Sequence, residues 1–81
     1  MPGTGKRVTL YTSHGCPWCG VARTYLREND IEFSEVDISE DRQGMRDMVL
    51  MTAQHGVPVL LVGSKTMVGW NADEFERLFR A

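Results

Sequence analysis

The sequence predicts an α/β fold in the order β-α-β-α-β-β-α, a four-stranded mixed sheet with helices on both of its faces. Two strand-like runs separated by a helical stretch open the chain, and that alternation calls for parallel pairing with right-handed crossovers. Further on, "PVLLV" (58–62) is nearly all apolar, which suits a strand covered on both faces. Gly63-Ser64 follows at once and predicts a two-residue hairpin, so the last strand returns as an antiparallel edge.

Residues 1–6 are expected to form a frayed end. "RVTLYTS" (7–13) is rich in β-branched and aromatic residues and reads as the first strand. After the loop "HGC" comes "PWCGVARTYLREN", whose Pro17 suits the first position of a helix, where a missing N–H costs nothing. Ala22, Tyr25 and Leu26 make its apolar stripe, and Asn29-Asp30 end it. "IEFSEVDI" (31–38) reads as the second strand, although its apolar residues change parity between Phe33 and Val36. Ser39 is expected to cap a second helix from about Glu40 to Gln54, with Met45, Met48, Val49 and Thr52 on one face and Gly56 as its stop. In the hairpin, Gly63 stands where a type II′ turn requires glycine, and "KTMV" (65–68) is the returning strand. Asn71, with Glu74 three residues later, starts the last helix in the manner of a capping box; Phe75, Leu78 and Phe79 give its buried face.

A chain of 81 residues is expected to form one domain spanning 1–81, and at this size it buries only about 60–65% of its unfolded surface. The net charge is −2 with both signs mixed along the chain, which gives no electrostatic reason for nucleic acid or a membrane surface as partner. No apolar run reaches the ~20 residues of a membrane span, and the N-terminus lacks a signal-peptide stretch, so a cytoplasmic monomer is expected.

The two cysteines of the chain stand in "HGCPWCG" (14–20). A disulfide between them closes a tiny loop and constrains the unfolded chain least, so the pair is not there for stability. With Cys16 at the N-cap and Cys19 at the third helical position, both sulfurs lie on one face. The free N–H groups and partial positive charge of the helix start favour a thiolate at Cys16. Cys19, a turn further in, is expected to be less exposed and less acidic. This division of labour is that of thiol–disulfide exchange: Cys16 attacks a target disulfide and Cys19 resolves the mixed disulfide. A zinc site is the rival reading, but zinc takes four ligands and only His14 and His55 are on offer, so no metal is expected.

"YTSHGCPWC", a helix, "GVP" some forty residues on, a hairpin and "VGW" together resemble glutaredoxins from about Arg7 to Phe79. The resemblance implies the thioredoxin-like fold, no bound cofactor, glutathione as co-substrate and disulfide-containing proteins as partners. It implies a cis peptide at Val57-Pro58, with the Val57 backbone pairing a substrate strand, and a glutathione groove drawn from Pro17, Trp18, Gly69, Trp70 and Asp73. The match departs from glutathione-using members in three places. Ser13-His14-Gly15 holds no lysine before the first cysteine, Gly56 stands for the usual threonine, and "GWNAD" (69–73) replaces a double glycine followed by an acid. "VGWNAD" resembles instead the NrdH-type redoxins, which take electrons from thioredoxin reductase and serve ribonucleotide reductase, although Pro17-Trp18 between the cysteines does not. Some glutaredoxins carry an iron–sulfur cluster across a dimer, a role the proline between the cysteines disfavours.

Other residues keep two readings. Trp18 either packs on its own turn or offers substrate a contact platform. Trp70 either packs under the last helix or flanks Gly69 and shapes the groove. His14 is either a solvated loop residue or, protonated, a support for the Cys16 thiolate. His55 reads as plain surface, and Arg23 and Arg27 as a solvated face. Leu50 and Met51 fall on the outer side of the second helix.

Overall fold

A computed structural model describes residues 6–81, so the fraying expected of residues 1–6 lies, Lys6 apart, outside the described residues. The elements are β1 (Val8–Thr12), α1 (Pro17–Glu28), β2 (Ser34–Asp37), α2 (Arg42–Thr52), β3 (Val59–Val62), β4 (Lys65–Val68) and α3 (Ala72–Arg80), in the expected order. They form one four-stranded sheet, β2-β1-β3-β4. β1 pairs parallel with β2 and antiparallel with β3, and β3 and β4 form the antiparallel hairpin.

Alternation along the strands sorts side chains onto two faces. The row Leu10-Leu60-Met67 lies on one face and packs with Ala22 and Leu26 of α1 and Phe75 and Phe79 of α3. On the other, Tyr11 and Val59 pack with Met48 of α2 and Ile38. Helices thus cover both faces, two against one. Gly63 has the positive φ of +64 that the first central position of a type II′ turn needs, and Ser64 does not share it.

Three boundaries differ from the sequence reading. β2 begins at Ser34, not residue 31, because the Ile31 N–H is taken by Leu26 O of α1 (2.9 Å) after Asp30 turns left-handed, φ 55. The change of parity in 31–38 falls where helix exit gives way to strand. α2 begins at Arg42 with Asp41 as its cap, the carboxylate accepting from the Gly44 N–H at 2.8 Å, not with Ser39. Residues 37–41 form a turn instead: Glu40 and Asp41 N–H groups donate to Asp37 O, and Ser39 N–H donates to the Asp37 carboxylate. At the far end Ala53, left-handed at φ 58, terminates α2 three residues before Gly56.

Gly44 is buried against β2, where an added Cβ would come within 2.4 Å of Val36 Cγ1. This contact lets α2 approach the sheet closely.

Candidate active site

β1 runs out at Thr12, residues 13–15 turn, and Cys16 caps α1 in an extended conformation. Pro17 takes the first helical position, as its missing N–H and fixed φ favour. Cys16 and Cys19 are joined as a disulfide, with Cα atoms 5.3 Å apart. The Cys19 N–H also points at Cys16 Sγ, 3.2 Å away. Cys19 is 1% exposed, while Cys16 is half-buried. The first turn of α1 contains no acidic residue, so no side-chain charge within that turn opposes a negative sulfur.

The Val57-Pro58 peptide is cis, as the resemblance implies. Pro58 is buried and its carbonyl accepts from the Gly69 N–H at 2.8 Å, which ties the end of β4 to the start of β3. Val57 is half-buried, and among the described residues its backbone N–H and C=O take part in no hydrogen bond. The segment before it is held by Gln54, whose side-chain amide accepts from Gly56 N–H (2.6 Å) and donates to Gly56 O (3.1 Å). A Cβ on Gly56 would meet that amide oxygen at 2.8 Å, so a larger residue there requires the end of the Gln54 side chain to shift. Nothing local in the sequence marks Gln54 for this role.

Trp18 lies 60% exposed beside the cysteines, so packing on its own turn leaves much of its ring open. Trp70 packs with the last helix, as one of its readings expects. Its ring packs against Tyr25 (centroids 5.2 Å) and Phe75 (5.6 Å), and it also lines a shallow groove with Pro17, Gly20, Val21, Thr24 and Tyr25. Tyr25 donates its hydroxyl to Glu76 of α3, which steadies this wall, and that bond raises the tyrosine above its ordinary acidity range. Asp73 is exposed in the first turn of α3, and among the described residues it forms no hydrogen bond or ion pair. Asn71 caps that helix through the Glu74 N–H (2.9 Å), which is one half of the capping box.

Two polar clusters flank α1. Arg23 is not a freely solvated residue: it grips Glu35 of β2 through two bonds of 2.9 and 2.6 Å, and Thr12, buried at the end of β1, donates to the same carboxylate. The Arg23 guanidinium holds the Glu35 carboxyl below its ordinary range. His14 turns its ring toward the turn after β2, with Nε2 at 3.0 Å from Asp37 and 3.2 Å from Glu40. Among the described residues this is the group of three ligand-type side chains close enough to hold a cation, and neither cysteine belongs to it. His55 is exposed, as its plain reading expects.

The glutaredoxin family model matches residues 8–67. The chain belongs to the glutaredoxin family. It is 31% identical over 71 residues to an uncharacterized glutaredoxin-like 8.6 kDa protein in the rubredoxin operon of Clostridium pasteurianum, covering 88% of this chain and 95% of that one. Among solved structures it is similar to the glutaredoxin of Archaeoglobus fulgidus, with a TM-score of 0.81 at 20% identity over 90% of this chain and 85% of the other. The NrdH-redoxin of Escherichia coli, described as a glutaredoxin-like protein with a thioredoxin-like activity profile, superposes with a TM-score of 0.80 at 20% identity over 93% and 97%. At such identities these two likenesses speak for the thioredoxin-like fold. With its closely spaced cysteine pair at a helix start, this glutaredoxin is a redox-active disulfide protein with oxidoreductase chemistry. None of its helices is long and apolar enough to cross a membrane among the described residues.

Proposed function

We propose that this glutaredoxin is a dithiol thiol–disulfide oxidoreductase that reduces protein disulfides or glutathione mixed disulfides, with Cys16 as nucleophile and Cys19 as resolving thiol. The asymmetry of the pair carries the reading: Cys19 is 1% exposed, while Cys16 is half-buried at a helix N-terminus with the Cys19 N–H aimed at its sulfur. Positive helix ends and donated N–H groups stabilise a thiolate, and the thiolate is the attacking species. The reduced Cys16 sulfur attacks one sulfur of the target, the target S–S bond breaks, and one target thiolate leaves. Cys19, as thiolate, then attacks Cys16 Sγ; the mixed disulfide breaks, the second target thiolate leaves, and the two electrons have moved to the target. The product is the Cys16–Cys19 disulfide, the form present in this structure. The Val57 backbone, without a hydrogen-bond partner among the described residues and next to cis Pro58, is the edge against which an extended substrate segment pairs. Pro17, Trp18, Gly69, Trp70 and Asp73 are the further candidates for the groove that receives glutathione or the partner, and glutathione returns the electrons as co-substrate.

A second reading makes the electron donor a thioredoxin reductase and the recipient ribonucleotide reductase. Its support is the stretch Ser13-His14-Gly15, which offers no lysine to a glutathione carboxylate, and Trp70 filling the place of a second glycine. One pair of assays separates the two: NADPH oxidation with glutathione plus glutathione reductase, against NADPH oxidation with thioredoxin reductase alone. Turnover in the first supports glutathione, and turnover confined to the second transfers the protein to the other donor. In either assay Cys16→Ser abolishes activity. Cys19→Ser loses protein-disulfide reduction and retains removal of glutathione from mixed disulfides. Full activity in Cys16→Ser overturns the assignment of roles.

A further inference from the structure

The loop that carries Cys16 is tied down through one residue. Among the described residues, every hydrogen bond or ion pair that residues 13–15 make to another element comes from His14. Its backbone N–H donates to Ser39 Oγ at 3.1 Å, and its Nε2 sits between carboxylate oxygens of Asp37 and Glu40 at 3.0 and 3.2 Å. The receiving turn is itself fixed, since the Ser39 N–H donates to the other Asp37 oxygen at 2.9 Å and the Ile38 N–H to Thr12 O at 2.8 Å. Asp37 is held below the ordinary carboxyl range, first by the Ser39 N–H and also by His14, and so presents a full negative charge. Between this anchor and Cys16 stands only Gly15, which takes φ +73 with no side chain to fix the path.

We propose that His14 is a positioning residue for Cys16, resting on the reading above in which Cys16 is the nucleophile. Its ring ties the nucleophile's loop to the β2–α2 turn and, when it carries a proton, cancels one of two carboxylate charges gathered there. The direct support of the sulfur comes from the helix start; His14 acts on it through Asp37 and Glu40. Carboxylate charge on the turn that holds the Cys16 loop disfavours a sulfur anion, because negative charge raises a thiol's pKa and so favours the protonated form. The first turn of α1 adds no acid of its own. Removing His14 bares both carboxylates. The ring is 67% exposed, so the effect is screened and modest, and the substitution leaves no buried gap.

The test uses reduced full-length protein and measures the rate of alkylation by iodoacetamide, with the labelled residue identified by mass spectrometry. In His14→Ala the rate at Cys16 is expected to fall about three- to tenfold, the size of a half to one unit change in thiol acidity. The reduction potential against a glutathione buffer is expected to become more reducing in step, since the thiolate form loses stability. His14→Lys restores the rate in part by returning the charge. The double variant His14→Ala with Glu40→Gln also regains rate, because a carboxylate charge is removed, whereas a purely structural role predicts no recovery: Glu40 has already lost its contact with His14 in the single variant. Label on Cys16 at an unchanged rate in His14→Ala, or no recovery in the double variant, overturns the positioning role and leaves the nucleophile assignment standing. Label appearing first on Cys19 overturns the nucleophile assignment and this inference together.

Discussion

The two faces of the sheet are covered very differently. On the face of α1 and α3, ten residues from Val8 to Phe79 form one buried cluster, and Tyr25, Trp70, Phe75 and Phe79 stack and tilt against one another with centroids 5.2–6.0 Å apart. On the face of α2, Tyr11, Ile38, Met48 and Val59 make a thinner cluster, closed at one side by the Gly44–Val36 approach. The redox helix is thus mounted on the thick side, where aromatic packing between α1, the β4–α3 connection and α3 fixes its orientation. The thin side carries the turn that meets the active-site loop through His14. Thick packing resists small changes of shape, whereas a thin layer depends on each contact it has.

Deleting the centre of each face should break this comparison most severely. Phe75 is fully buried and touches the rings of Tyr25, Trp70 and Phe79. Phe75→Ala is expected to cost about 4 kcal/mol, from lost transfer energy, the cavity left and the aromatic contacts. Met48, also fully buried, sits in the smaller cluster beneath one exposed helix. Met48→Ala is expected to cost about 2–3 kcal/mol, since the thin layer collapses more readily onto the gap. Urea unfolding of the oxidised proteins measures both, and an equal or larger loss for Met48→Ala refutes the difference between the faces.

A smaller effect tests how the thin face closes. Gly44→Ala improves helix propensity by about 1 kcal/mol but sets a methyl against Val36, and overpacking costs about 1–3 kcal/mol. The net expectation is a loss of about 1 kcal/mol in the same urea experiment. Val36→Ala alone is destabilising, yet in the Gly44→Ala background its cost should shrink, because the methyl then fills the space. Strict additivity of the two changes would show that α2 shifts outward freely and that the close approach is not a constraint.

How much of this was legible in the sequence follows from the range of each interaction. The cap at Cys16, the proline after it and the hairpin at Gly63-Ser64 depend on neighbours within a few residues, and each stands where the sequence places it. The start of α2 was not legible, because Ser39 and Asp41 are both good caps and the choice is made by Asp37, whose carbonyl and carboxylate take the intervening N–H groups. Gly44 inside a helical pattern was a signal of close packing that periodicity alone passes over. Arg23 read as solvated because its partner Glu35 lies on another element, and His14 hid its partners in the same way. The chemistry was local and readable; what steers it comes from contacts between elements.

The smallest expected effect lies where the thick face meets the sheet edge. The row Leu10-Leu60-Met67 ends at Glu35 on β2, whose carboxylate is gripped by Arg23 and by buried Thr12. Arg23, first, and Thr12 both hold Glu35 below its ordinary range. A carboxyl depressed in the folded state contributes stability that is fully present above its unfolded value, about 4.3, and is lost as pH falls through the lower folded value. Arg23→Gln removes the cation, lets Glu35 return toward its ordinary range and so flattens the acid side of the stability curve. Asp37 and Glu76 are also depressed and lose stability in the same window, but they are common to both proteins, so the difference between the two curves isolates Glu35. At neutral pH the variant should be less stable by about 0.5–1 kcal/mol, the size of a screened pair with good geometry. Once the pH lies below the depressed folded value of Glu35 the two curves should converge, since the protonated carboxyl no longer distinguishes arginine from glutamine. A constant gap at every pH would mean that Arg23 acts by packing its stem on β2 rather than by its charge.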